Sequence, residues 1–151
     1  MLGTDMKIAE TPKDGLKEYA KPDGYKDWLK REGVKVYEEF YFPSLSRIEL
    51  GPWERKGSAG AVIHIANRYM PNDCHVVEIK PGGNSEPEHH MYESTIYVVS
   101  GHGATTIWQS KDERKQTFEW HTGSLFSIPL NAWYQNFNGS GSEPARYIAV
   151  T

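Results

Sequence analysis

The run "PEHHMYESTIYVVSGHG", Pro87 to Gly103, sets two adjacent histidines between Glu88 and Glu93 and follows them with β-branched and aromatic residues that end on glycine. Imidazole nitrogen and carboxylate oxygen are the donors that hold divalent iron, manganese, copper, nickel or zinc. The same two groups exchange protons as general base and acid without a metal. In an extended strand successive side chains point to opposite faces. Glu88, His90, Tyr92 and Ser94 would then share one face, and His89, Met91 and Glu93 the other. A β-bulge between the histidines would shift that phase and turn Glu93 inward beside His90.

Such a face needs a sheet to carry it. From Ala61 onward the chain offers eight short strand-like runs, "AVIHIA", "CHVVEI", "HMYESTIYVVS", "GATTIWQ", "QTFEW", "SLFSIP", "WYQNFN" and "RYIAVT", divided by turn clusters such as "MPND", "PGGNS", "SKDE" and "NGSGSEP". Short strands at this spacing predict an all-β sandwich or barrel. Upstream, "PDGYKDWLKREG" predicts one short helix with Asp23 as N-cap, basic residues in its last turn and Gly33 just past its end. Residues 1 to about 21 read as a polar arm, and the stretch around "VKVYEEFYFPSLSRIEL" as an edge strand or two followed by a loop. The expected organisation is an arm, helix and edge strands over residues 1–60 and a barrel domain over residues 61–151.

Composition narrows the function classes. With 151 residues, 38% of them hydrophobic, the chain can build one core but not two. A net charge of −3 and the lack of any basic block interleaved with aromatics argue against a nucleic-acid partner. Apolar runs are strand-sized, so no membrane span is expected. A single cysteine, Cys74, allows no intrachain disulfide, and the opening "MLGTDMKIAE" does not read as a signal peptide, so a cytoplasmic location is expected.

Two segments, Gly82 to Gly101 and Gly123 to Asn138, together resemble the paired signature motifs of the cupin superfamily. The first motif is matched in spacing by Gly82, Glu88 at the first histidine position, His90 at the second, Ser94 at the glutamate and Gly101 at the close. In the second, Gly123, Pro129 and Asn138 match, while Asn131 stands for the middle glycine and Tyr134 for the histidine. The resemblance implies a jelly-roll β-barrel in which His90 faces the cavity and His89 does not, with Tyr134 approaching from another strand. It implies a site of Glu88, His90 and Tyr134, with Glu93 joining if a bulge shifts the register. That set is either a depleted divalent-metal site or a hydrogen-bonded polar cluster without metal.

Resemblance to bicupins related to gentisate-type dioxygenases implies a metal-dependent, dioxygenase-like oxidoreductase acting on a small molecule in the barrel. Without metal, His90 or Glu88 would serve as general base in an isomerase or lyase. A different class is a non-catalytic, ligand-binding or structural half that works with a partner domain or as a homodimer. Elsewhere, His64 and His75 read as ordinary strand histidines and His102 and His121 as solvated turn residues. Cys74 reads as a small buried hydrophobe, and Trp108, Trp120 and Trp133 as barrel packing, with Trp133 placed to rim a pocket.

Overall fold

The computed structural model describes residues 24–65, 73–110 and 114–151. The polar arm, Asp23 and most of the "MPND" and "SKDE" turns lie outside the described residues. Packing divides the chain into two compact units, Met1–Arg31 and Glu32–Thr151. The predicted helix is present as α1, Gly24–Glu32, closed by Gly33 at φ 61°. Lys30 and Arg31 in its last turn complement the helix dipole.

The second unit is all β. Its strands are β1 (Lys35–Glu39), β2 (Gly51–Trp53), β3 (Ser58–Ile65), β4 (Cys74–Ile79), β5 (Glu88–His89), β6 (Ser94–Ser100), β7 (His102–Trp108), β8 (Gln116–His121), β9 (Leu125–Ile128), β10 (Trp133–Asn138) and β11 (Ala145–Val150). One sheet runs β1-β3-β4-β11-β6-β9, with β2 also on β3, and the other runs β5-β10-β7-β8. Among the described residues only the β1–β3 pair is parallel. This is the two-sheet arrangement of a jelly roll, as expected. A division at residue 60 falls inside β3, whose pairing with β1 and β2 brings Lys35–Glu39 and Gly51–Trp53 into the large sheet.

β4, "CHVVEI", is buried along nearly its whole length, with only Glu78 partly exposed, so both of its faces are covered. Val76 and Cys74 pack with Ile48 and Ile63 under a cover of Tyr37, Phe42, Leu45 and Leu50, so the segment before β2 forms an outer layer. On the inner face, Val98, Trp120 and Ala145 cluster with Phe118 and Phe126. β10 alternates in the usual way, with Tyr134, Asn136 and Asn138 buried. Its buried amides are hydrogen-bonded at both oxygen and nitrogen. Thr105 Oγ1 donates to Asn136 Oδ1 (2.6 Å) and accepts from Trp120 Nε1 (2.9 Å), and Asn136 Nδ2 donates to the Tyr147 hydroxyl (3.1 Å).

The run "HMYESTIYVVS" is not one strand. β5 ends at His89, a turn covers residues 90–93, and β6 begins at Ser94.

Candidate functional site

Glu88 and Tyr134 face each other across the β5–β10 pair, and His89 lies opposite Trp133. Residues paired this way point to the same side of their sheet. Glu88 and Tyr134 are buried, while His89 is exposed, stacked on Trp133 (4.8 Å) with Nε2 2.9 Å from Asn131 Oδ1. His90 leaves the strand, yet its ring meets Tyr134 edge-on at 5.4 Å and Nε2 is buried. The inward histidine is therefore His90. The turn, rather than an unbroken pleat, puts it there, held by the Asn131 N–H donating to the His90 carbonyl (3.1 Å). Glu93 is exposed and stays out of the cluster, so the bulge expectation is corrected: the chain leaves the sheet at residues 90–93 and no phase shift occurs. Ser94 is buried.

His90 Nδ1 donates to the Tyr92 carbonyl at 2.6 Å, since a carbonyl can only accept. This leaves Nε2 as the lone-pair nitrogen of a neutral imidazole, and burial pushes the His90 pKa down in the same sense. The Tyr92 ring stacks on the imidazole at 4.0 Å. Tyr134 is held as a neutral phenol, its pKa pushed well up by burial and by the neighbouring Glu88 carboxylate. Glu88 Oε1 and His90 Nε2 are both buried and have no hydrogen-bond partner among the described residues.

Sequence reasoning missed the residue that sets the charge of the cluster. Lys56, in a 3-10 turn (Glu54–Lys56) between β2 and β3, is buried and places Nζ 2.5 Å from Glu88 Oε2. Burial pushes its pKa down and Glu88 opposes the shift. Arg55 Nη1 lies 3.5 Å from the same oxygen, while Arg55 Nε donates to Glu32 Oε2 (2.9 Å), which also accepts from Trp53 Nε1. His75, expected as an ordinary strand residue, is buried edge-on to Trp53 (5.5 Å), and burial with the nearby Lys56 charge pushes its pKa down to about 3. The signal in "WERKG" was the carboxylate at Glu88 itself. A buried carboxylate at a position where the motif has a neutral imidazole requires a counter-charge.

The other candidates stay apart. His64 pairs with Asp73 at 2.6 Å, His102 and His121 are exposed at the ends of β7 and β8, and Cys74 is buried with its thiol pKa raised by burial. Trp120 packs inside, whereas Trp108 and Trp133 stack on each other at 6.2 Å on the outer face of the small sheet. A cavity of about 570 Å³ beside Trp53, Ser58 and Lys80, and one of about 450 Å³ beside His102, Glu119 and His121, both lie away from Glu88, His90 and Tyr134. Among the described residues no group of three or more His, Cys, Asp and Glu side chains is disposed to hold a metal, and no helix is long and apolar enough to cross a membrane.

The fold is similar to solved structures of known proteins. Oxalate decarboxylase from Lactobacillus farciminis, in its formate complex, matches with 23% identity and a TM-score of 0.58 over 72% of this chain and 33% of that one. The Bacillus subtilis oxalate decarboxylase, described with Mn(II) centres, matches at 19% identity and TM-score 0.57 over 72% and 30%. The Schizosaccharomyces pombe Cnp3 cupin domain matches at 17% and 0.57, over 71% of this chain and 69% of that one. This chain thus spans about a third of the length of the decarboxylases. No curated protein matches it. The family profile described as Cupin domain matches residues 75–151, from β4 to the last residue, and so takes in both motifs and every strand of the small sheet. On that match over half its length, the chain belongs to the cupin family.

Proposed function

We propose that this chain is a ligand-binding cupin domain whose inward cluster of Lys56, Glu88, His90 and Tyr134 receives a small molecule bearing hydrogen-bond donors, without a resident metal. The observation that carries this reading is the pair of buried lone-pair atoms, Glu88 Oε1 and His90 Nε2, that have no partner among the described residues. Buried acceptors are normally satisfied, so a hydroxyl- or amine-bearing ligand answers both. Arg55 and Tyr92, both exposed, and the half-buried His90 lie on the outward side of the cluster, where a small molecule would enter. His90, through Nε2, and the carboxylate of Glu88 are the groups suited to accept a proton from such a ligand, which makes isomerase or lyase chemistry the catalytic form of this reading.

The donor set argues against a divalent ion. Of the four positions the motifs assign to ligands, Glu88 is engaged by an ammonium, Ser94 offers a neutral hydroxyl and Tyr134 a neutral phenol. Only His90 keeps a ligand of the family type. The metal-dependent, dioxygenase-like reading is favoured by one observation, that His90 has Nδ1 anchored on a carbonyl and Nε2 free, the arrangement of metal-bound histidines. A homodimer formed through open sheet edges belongs to the same proposal, with sedimentation as its check.

The test is thermal stabilisation of the untagged protein by a panel of small polyols and amino alcohols. A rise in melting temperature that disappears in both Glu88→Gln and His90→Ala supports the reading. Stabilisation by manganese, iron or zinc salts at His90, with no response to any organic compound, would replace it with the metal-dependent one.

A further inference from the structure

Lys56 enters the cluster from outside the segment that the family profile covers. Its seat is built by packing. The Trp53 ring lies 4.9 Å from Nζ, a cation–π contact, and Trp53 in turn lies so close over β3 that a Cβ on Gly60 would sit 2.6 Å from Trp53 Cε3. Glycine at residue 60 is what lets the indole, and with it the ammonium, reach Glu88.

We infer that Lys56 is the built-in cation of this site: its ammonium takes the place of a divalent metal ion as the counter-charge of Glu88, and removing it raises the affinity of Glu88 and His90 for such an ion. Nζ engages Oε2 at 2.5 Å and leaves Oε1 of the same carboxylate, together with His90 Nε2, without a partner among the described residues. These two atoms are of the types that ligate first-row divalent ions. Positive charge adds to the thin donor set in barring an ion. In a buried site a dication beside an ammonium meets repulsion that water does not screen. Arg55 Nη1, 3.5 Å from Glu88, adds to that charge, although Glu32 holds the same guanidinium through Nε.

The inference rests on reading this cluster as the ligand site, but it fails separately. Failure of the polyol and amino alcohol panel leaves the metal prediction for Lys56 variants intact, and the reverse also holds. The experiment is a Co(II) titration of the untagged full chain, followed by calorimetry and by the visible absorption of bound Co(II), in wild type, Lys56→Arg, Lys56→Met and Lys56→Gln, each with and without His90→Ala. The glutamine amide keeps an N–H donor on Glu88, so this variant retains the fold if the methionine does not. Wild type and Lys56→Arg are expected to bind Co(II) at least about tenfold more weakly than Lys56→Gln and Lys56→Met. The gained absorption is expected to vanish when His90 is replaced. Wild type that binds Co(II) through His90 as tightly as the Lys56 variants overturns the inference, and so does a folded Lys56→Gln that gains no Co(II) site.

Discussion

Lys56 Nζ and Glu88 Oε2 are 2.5 Å apart with side chains 4% and 5% exposed, which makes a buried ion pair the central feature of this barrel. Removing one partner leaves a buried charge unmatched. Lys56→Met and Glu88→Leu should each destabilise the fold by about 3 kcal/mol in urea unfolding, and the double variant by clearly less than their sum. Additive losses would mean that the two groups do not act as a pair.

His75 gives the protein an acid-sensitive core. Its folded pKa of about 3 lies below the ordinary histidine value near 6.5, so the unfolded chain binds the extra proton first. Stability is therefore unaffected by this group above about pH 6.5 and falls as the pH drops from there toward 3, with a limiting slope of about 1.4 kcal/mol per pH unit. His90 shifts in the same direction and adds to the loss. Denaturation curves measured at several pH values should show the slope reduced in His75→Phe, which keeps a ring against Trp53.

The Thr105, Asn136 and Tyr147 chain of hydrogen bonds ties the two sheets together through a single amide. Asn136→Ala strips two buried hydroxyls of a partner at once. We expect a loss of about 3 kcal/mol by chemical denaturation, against under about 1 kcal/mol for exposed Thr117→Ala, whose hydroxyl meets Thr106 at the surface.

Asn131 holds φ at 61°, in the left-handed region that asparagine tolerates and β-branched residues avoid. Asn131→Gly should leave stability within about 0.5 kcal/mol of wild type, and Asn131→Val should lower it by about 1–2 kcal/mol. The melting temperatures of the two variants decide this. Equal values would remove the backbone argument.

Tyr92 stacks its ring on His90 while its carbonyl fixes Nδ1. Tyr92→Ala removes the cover and keeps the carbonyl. Modification of His90 by diethyl pyrocarbonate should then be several-fold faster than in wild type, read by peptide mass spectrometry. An unchanged rate would show that the ring does not limit access.

Much of this protein was legible in its residue order. Alternation and turn clusters marked the strands, capping residues marked α1, and the spacing of Gly82, Gly101, Gly123 and Pro129 indicated the jelly roll, because turn chemistry and pleat periodicity are local properties of the chain. The same spacing placed Glu88, His90 and Tyr134 together. It also aligned Asn131 with the motif's middle glycine, and the structure shows why the position suits glycine: its backbone is left-handed, which asparagine can adopt. What the chain order left open was decided by contacts between residues far apart in it. The break at 90–93 depends on a backbone bond to the loop before β10, and the charge of the site depends on Lys56, 32 residues before Glu88. Burial depth and the pairing of charges come from tertiary packing, here Trp53 against Gly60 and Lys56 against Glu88, and no local periodicity encodes them. The sequence by itself marked most of the strands and the meeting of Glu88, His90 and Tyr134; the folded barrel alone decided where the strand breaks and that an ammonium meets them there.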